Sequence, residues 1–467
     1  MVLFCPFYRI LSTWGVAMKI QAKISSMGIA LVLMAALSIV GIILFQKSVI
    51  QKKVDVVINQ QAMDETGKMA QSIYLMCQAV YESVSQTVAN NLKVAEEVVA
   101  RTGSVSFDKE PVAWQAVNQY TKQHRSVNLP KMMVGGQWLG QVSNGSAYSP
   151  VVDKVKELVG GTCTIFQRMN EEGDMLRVAT NVEKLDGSRA IGTYIPRTNP
   201  DGQPNPVIDS VLKGKTFYGR AYVVNAWYIT AYQPIWDAAH EQVVGILYFG
   251  EKQENVTSLR KGIMDTVIGK TGYVFVLGGK GDQKGRYLIS KGGARDGEKI
   301  YDAKDAEGRF FIRSIVDKAL ALEQGADTIP VDFEHYQWKN AGEKAPRAKL
   351  AAVTYFAPWD WVVGASLYED DLKGARDQVE AGLTGMVRWV VLLALVVVVV
   401  AAAGSYLLAR GISTPLKAAV TMITDLERGQ LDQRLNIQRK DEIGQIADAM
   451  DGFADNLQSE ILTAFQK

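Results

Sequence analysis

The chain has 467 residues, 51 lysines and arginines against 49 aspartates and glutamates, and a formal net charge of +2. That balance lacks the basic excess of a nucleic-acid binder, so no nucleic-acid partner is expected, and the length leaves room for about three domains. Composition does not mark a membrane protein; the positions of the apolar residues do.

Residues 27–45, from Met27 to Phe45, carry no charge and a single hydroxyl, Ser38. As a helix this stretch is about 28 Å long, enough to cross a bilayer core. No small-x-small cleavage site follows it, since it runs into Phe45, Gln46 and Lys47, so an uncleaved anchor is expected. Met18, followed by Lys19 and Lys23, reads as a natural start for that anchor, which makes residues 1–17 an upstream extension. A second uncharged stretch, Trp389 to Ala409, lies between Arg388 and Arg410 and reads as a second span. Lysines and arginines flank the first span about equally, so charge alone does not orient it. Cys5, Cys77 and Cys163 lie too far apart for a disulfide framework or a metal spacing.

Residues 46–102 contain almost no Gly or Pro and repeat apolar positions at helical spacing, as in Met69, Ile73, Met76, Val80 and Val84, which predicts one long helix. Short β-rich runs follow, and they repeat. One copy has strands at Thr162–Arg168 and Met175–Thr180, a helix at Pro206–Leu212, and strands at Phe217–Val224, Trp227–Pro234 and Val243–Phe249. The second has strands at Gly272–Leu277 and Arg286–Ser290, a helix at Arg309–Leu322, and strands near Ile329–Gln337, Lys349–Ala357 and Trp361–Tyr368. Each copy predicts an antiparallel sheet with helices on one face and a concave face able to hold a small ligand.

The richest binding candidates lie in the first copy. Alternation puts Tyr228, Thr230 and Tyr232 on one face of their strand and Arg220 and Tyr222 on one face of the strand before, with Trp227 beside them. An arginine between aromatic walls can hold a carboxylate in a bidentate contact, which suits a small organic acid or an amino acid; packing and a structural ion pair are the competing roles. Trp138 and Arg168 are expected to close the same cavity. In the second copy Tyr273, Tyr355 and Asp360 are similar candidates, whereas Trp359 and Trp361 read as packing. His124, His240 and His335 have neither metal spacing nor a nucleophile nearby, and Gly278–Gly285 is a hairpin loop without the Lys-Ser/Thr ending of a phosphate cradle. No enzyme activity, metal or cofactor is expected.

The stretch Gly269-Lys-Thr-Gly-Tyr-Val-Phe-Val-Leu, with Tyr355-Phe-Ala-Pro-Trp-Asp-Trp-Val-Val-Gly and Tyr368-Glu-Asp-Asp, resembles the Cache domains of bacterial chemoreceptors. Phe217-Tyr-Gly-Arg-Ala-Tyr, Tyr228-Ile-Thr-Ala-Tyr-Gln-Pro-Ile and Gly245-Ile-Leu-Tyr-Phe-Gly resemble the partner module of the Cache 3/Cache 2 fusion type. After the second span, Ile412-Ser-Thr-Pro-Leu-Lys, apolar positions at Ala419, Ile423 and Leu426, the entry Asp441-Glu-Ile-Gly and a second series at Ile446, Met450, Phe453 and Leu457 resemble a HAMP module. Pro415 near the membrane, with Asp441 and Glu442 at a helix N-terminus, are the expected relay residues.

The resemblance implies an α+β protein, with a long helix and two tandem PAS-like modules between two transmembrane helices. The expected boundaries are a cytoplasmic N-terminus over 1–26, a span over 27–45, an extracytoplasmic helix over 46–102, a first module over 103–252, a second over 253–380, a span over 389–409 and HAMP over 410–462. HAMP modules lie in the cytoplasm in the proteins it resembles, which puts the sensor outside the inner membrane. The implied function is chemosensory, with dimerisation expected from the resemblance and the apolar seams, as a homodimer or a mixed dimer with a full-length receptor. No methyl-accepting signalling helix is read after residue 462, for which a truncated product and pairing with a full-length receptor stand as alternatives. The front end of a sensor histidine kinase or nucleotide cyclase, and a non-signalling membrane-anchored binding protein, are the alternatives.

Overall fold

The computed structural model describes residues 20–253, 256–323, 328–340 and 343–465. The expected extension over residues 1–17 and the start at Met18 lie outside these. The chain divides into two compact units, one made of residues up to 58 together with 373 onward, the other of residues 59–372.

In the larger unit, helix α1, Ile20–Thr102, buries a stripe of Ala62, Thr66, Ala70, Ile73 and Cys77, then Val88, Leu92 and Ala95. The steps of three and four place these on one face. Small residues there bring the helix close to the sheets, and Gly67 faces the Phe333 ring. The helix ends where Gly103, at φ +133°, crosses Gly135; a Cβ at Gly103 would lie 2.4 Å from the Gly135 Cα.

The first sheet has nine strands: β1 Val105–Asn118, β2 His124–Val134, β3 Gln137–Trp138, β4 Thr162–Arg168, β5 Met175–Thr180, β6 Thr193–Ile195, β7 Phe217–Val223, β8 Ala226–Trp236 and β9 Val243–Lys252. Helices α2, Pro150–Val159, and α3, Pro206–Leu212, interrupt them. The spatial order is β3-β2-β1-β6-β5-β4-β9-β8-β7. The α3 cap follows from its sequence, with Asn205 accepting from the amides of Val207 and Ile208 ahead of Pro206. After α4, Thr257–Asp265, the second sheet comprises β10 Val267–Ile268, β11 Gly272–Gly278, β12 Tyr287–Ile289, β13 Asp332–Trp338, β14 Arg347–Phe356 and β15 Trp361–Tyr368, with α5, Phe311–Ala321, before β13. Its order is β10-β11-β15-β14-β13, with β12 paired to β11.

The α+β organisation expected from the sequence is therefore present; the second copy keeps the order strand, strand, helix, three strands, and the first adds β6 before its helix. Two features differ. The strands β1 to β3 extend the first sheet, and β1 joins β6 in parallel, not antiparallel, at Val117 opposite Thr193. Helical segments also cover both sheet faces: one core joins α1 to one face, while separate cores under α3 and α5 fill the other.

In the smaller unit, the start of α1 and helix α6, Lys373–Glu427, are both long and apolar enough to cross a membrane. Within this unit Lys47 Nζ donates to Thr384 Oγ1 at 3.0 Å and Arg376 pairs with Asp55 at 3.3 Å. Helix α6 contains Pro415, and a connector leads to α7, Glu442–Phe465. Asp441 caps α7 by accepting from the Gly444 amide at 3.1 Å, and Arg439 holds Asp441 while donating to the Gly411 carbonyl at 2.7 Å. Asp441 is thereby kept below the usual carboxylate range, first by the Arg439 bond and then by the Gly444 amide. A groove of about 560 Å3 between α6 and α7 is lined by Ile423, Leu426, Ile446, Met450, Phe453 and Leu457. Ile423 and Phe453 stay exposed, so the apolar seam is open in a single chain.

Candidate ligand-binding site

Strand register settles which side chains meet. On β14, Lys349 stands directly opposite Tyr336 of β13 and Tyr368 of β15. On β11, Tyr273 pairs with Ser366, two residues before Tyr368, so all four side chains share one face. That face lies under α5, and Lys349 is completely buried on it.

The Lys349 ammonium nitrogen is 3.6 Å from the ring centre of Tyr273, 4.8 Å from that of Tyr368 and 5.8 Å from that of Tyr336. Among the described residues it has no hydrogen-bond partner. Burial, then the neighbouring Lys291, hold its pKa well below the ordinary lysine value. The three tyrosine hydroxyls are raised above their usual range, chiefly by burial, and so stay neutral donors.

Asn340 knits the rim. Its Oδ1 accepts from Tyr273 Oη at 3.3 Å and Trp338 Nε1 at 3.0 Å, its Nδ2 donates to Tyr368 Oη, and Glu343 receives both its amide and its Nδ2. Lys291 lies 5.2 Å over Tyr273, and Arg295 covers Tyr287 and Trp338. A buried cation that among the described residues has no hydrogen bond or salt bridge, ringed by aromatic faces, is complementary to one small carboxylate, for which the ammonium supplies the charge.

Arg347, two residues before Lys349, lies 3.7 Å over the Tyr368 ring and pairs with Asp370 at 2.6 Å and Asp371 at 3.2 Å. Asp371 also accepts from the Thr271 amide at 2.7 Å and from Thr271 Oγ1. The site and the C-terminal exit of the second sheet thus share one ring.

The residues singled out from sequence fall in several places. Arg220 and Tyr222 of β7 pair with Ile229 and Trp227 of β8, whereas Tyr228 and Tyr232 pair with Ala221 and Phe217. Side chains of paired residues share a face, so Arg220, Tyr222 and Trp227 lie on one side of the sheet and Tyr228, Thr230 and Tyr232 on the other. The expectation that they enclose one cavity does not hold. Arg220 stacks on Trp227 at 3.8 Å and donates to Gln253 at 2.9 Å and to Gln283 of the second module at 3.0 Å; burial lowers its pKa to about 10. Trp138 is on β3, at the opposite edge of the sheet from β7, and Arg168 is consumed by the carbonyls of Asn170 and Glu171, so neither closes that cavity. Tyr355 donates to Asp360 at 2.9 Å, away from Lys349 along β14, while Asp360 pins the Lys280 amide and Trp359 and Trp361 are buried. Of the candidates in the second copy, Tyr273 alone reaches Lys349.

Lys349 and Tyr368 were missed as ligand residues. The available signal was a second cation two residues after Arg347, in a strand whose next seven residues carry no charge.

The family described as Cache 3/Cache 2 fusion domain matches residues 51–382, and the HAMP domain matches residues 407–459. The methyl-accepting chemotaxis protein McpP of Pseudomonas putida is 32% identical over 170 residues, covering 36% of this chain and 28% of that protein. The chain thus spans little more than a quarter of that relative's length. The periplasmic sensory domain of the Campylobacter jejuni chemoreceptor Tlp1 is 9% identical with a TM-score of 0.33, covering 68% of this chain and 98% of that domain. A methyl-accepting chemotaxis protein from Vibrio parahaemolyticus is 24% identical with a TM-score of 0.21, covering 25% of this chain and 72% of its own.

Proposed function

The chain belongs to the Cache 3/Cache 2 fusion domain family and carries a HAMP domain, and from that premise we propose that it is a chemosensory receptor subunit of the inner membrane that binds a small carboxylate at Lys349. The observation that carries the ligand class is the fully buried ammonium, which among the described residues has no hydrogen bond or salt bridge, with Glu343 acting on it only at longer range. Leaving a charge unpaired inside a protein costs several kcal/mol, and an anion that binds there recovers much of it. The aromatic enclosure favours a short, unbranched acid.

The two apolar helices flanking the sensor unit support a sensor outside the membrane with HAMP in the cytoplasm. A carboxylate between Lys349 and Tyr368 shifts the balance between two arrangements of the exit at Glu369–Leu372, from which the chain runs directly into α6. Pro415 and the Asp441–Glu442 cap then act as relay positions. The open seam of α6 and α7 fits a second copy of the same helices, giving a homodimer or a mixed dimer with a longer receptor. Kinship with a methyl-accepting chemotaxis protein supports chemotaxis over a kinase or cyclase output.

The test is calorimetric titration of the full chain in lipid nanodiscs with acetate and propionate, with ethylamine as the cationic control. Saturable binding of the acids, absent for the amine and lost in Lys349→Met, is expected. Equal binding to the folded variant would place the site elsewhere.

A further inference from the structure

Three arginines line one cavity between the two modules, and the reading above uses none of them. The cavity has a volume of about 520 Å3, and its wall includes Arg220 and Trp227 of the first module, Leu259 and Arg260 of α4, and Arg286 and Trp361 of the second module. It lies apart from Lys349. Leu259 and Trp361 belong to the core shared with α1, whereas Tyr273, Tyr336 and Tyr368 belong to the core under α5.

The cations are unevenly matched. Asp296, at the exposed rim, pairs with Arg260, whose Nη1 donates to the Leu288 carbonyl at 2.9 Å. Arg220 stacks on Trp227 and spends its Nε and Nη2 on the neutral oxygens of Gln253 and Gln283, with Asp360 acting on it only at longer range. Arg286 donates Nη1 to the Gly297 carbonyl. Among the described residues neither Arg220 nor Arg286 has a carboxylate within ion-pair distance, and Arg220 Nη1 and Arg286 Nε and Nη2 have no protein acceptor. Three guanidiniums against one carboxylate leave the lining with an excess of two positive charges, one of them contributed by each module.

We propose that this cavity is a second ligand site, which takes a phosphate monoester with an aromatic ester group between Arg220 and Arg286. A carboxylate brings one charge and two oxygens, which a single guanidinium fork consumes. A phosphate monoester brings close to two charges at neutral pH and three acceptor oxygens that point in different directions, so one group meets an arginine from each module. The phosphate alone is far smaller than the space, and Trp227, Leu259 and Trp361 give the ester group an apolar wall. An occupant held from both modules adds a contact across their junction, so it favours the arrangement in which the two arginines stand close together. The inference stands on its own residues and does not need the Lys349 site.

The experiment titrates the full chain in phosphatidylcholine nanodiscs calorimetrically, at constant ionic strength, with phenyl phosphate, inorganic phosphate and benzoate. Expected is one saturable event for phenyl phosphate, at least tenfold tighter than for either of the other two, and weakened at least tenfold in Arg286→Gln. Benzoate tests the charge and inorganic phosphate tests the apolar wall. Circular dichroism and the unfolding midpoint report folding. No saturable binding of phenyl phosphate, equal affinity for benzoate or for inorganic phosphate, or an affinity unchanged in a folded Arg286→Gln chain overturns the proposal. If Arg286→Gln fails to fold, unchanged affinity in Arg220→Gln overturns it. Acetate binding reports on Lys349 and phenyl phosphate binding on this cavity, so the two readings fail separately.

Discussion

The Lys349 ammonium nitrogen lies 3.6 Å from the centre of the Tyr273 ring, and that ring is its nearest compensation. A desolvated cation–π contact supplies about 2 kcal/mol, less than the several kcal/mol that burying an unpaired ammonium costs. Lys349→Met keeps the side-chain length without the charge, so it is expected to stabilise the ligand-free protein by about 1–4 kcal/mol. Thermal unfolding of the full chain followed by tryptophan fluorescence measures this. A lower melting temperature in the variant would mean that the lysine holds the second sheet together.

The same group makes stability depend on pH with a definite sign. Its folded pKa is depressed below 10.5, so between those two values the unfolded chain binds more protons than the folded one. Stability of the wild type, measured against Lys349→Met, therefore rises with pH across that window and levels off above 10.5. Saturating acetate holds the lysine protonated and flattens the rise. Parallel profiles for the two proteins, with and without acetate, would exclude a titrating Lys349.

Arg220→Ala separates junction from site. The arginine bonds Gln253 and Gln283 but does not touch Lys349, so carboxylate affinity should change by less than about twofold while stability falls by about 1–3 kcal/mol from the glutamine oxygens left unpaired. Titration and melting of one preparation give both numbers. A tenfold loss of affinity in a folded Arg220→Ala chain would return this arginine to the ligand.

Asp371→Ala removes the acceptor shared by the Thr271 amide, the Thr271 hydroxyl and Arg347. A cost of about 1–3 kcal/mol is expected, concentrated locally. Amide hydrogen exchange at Lys270 and Thr271 should accelerate while exchange in β8 and β9 stays unchanged. Uniform acceleration over both sheets would show that the contact supports the whole unit.

The periodic elements were legible because they depend on nearest neighbours. The uncharged run from Met27 to Phe45, the helical spacing of Met69, Ile73, Val80 and Val84, and most of the repeated strand order are local patterns that appear in the structure, although Met76 of that helical series is exposed. The alternation of Tyr228, Thr230 and Tyr232 was equally local. Which arginine joins them was not, because a one-residue change of register turns every side chain to the other face. Arg220 points to the face opposite those tyrosines, while Arg177, four strands away in sequence order from β9, lies within their core. The distance between Trp138 and β7 follows from sheet order, which long-range pairing decides and no short segment encodes. Lys349 announced itself only as a charge in an apolar strand, and its ring of tyrosines comes from three other strands.

The Tyr368 ring meets both the lysine and Arg347, whose partners Asp370 and Asp371 form the last turn of the sensor unit. A side chain that serves recognition and departure at once couples two traits in inheritance. Substitutions at Tyr368 that admit a new ligand also reset the resting output, so a lineage changing its diet is expected to leave this position alone and vary Tyr273, Tyr336 or Trp338 instead.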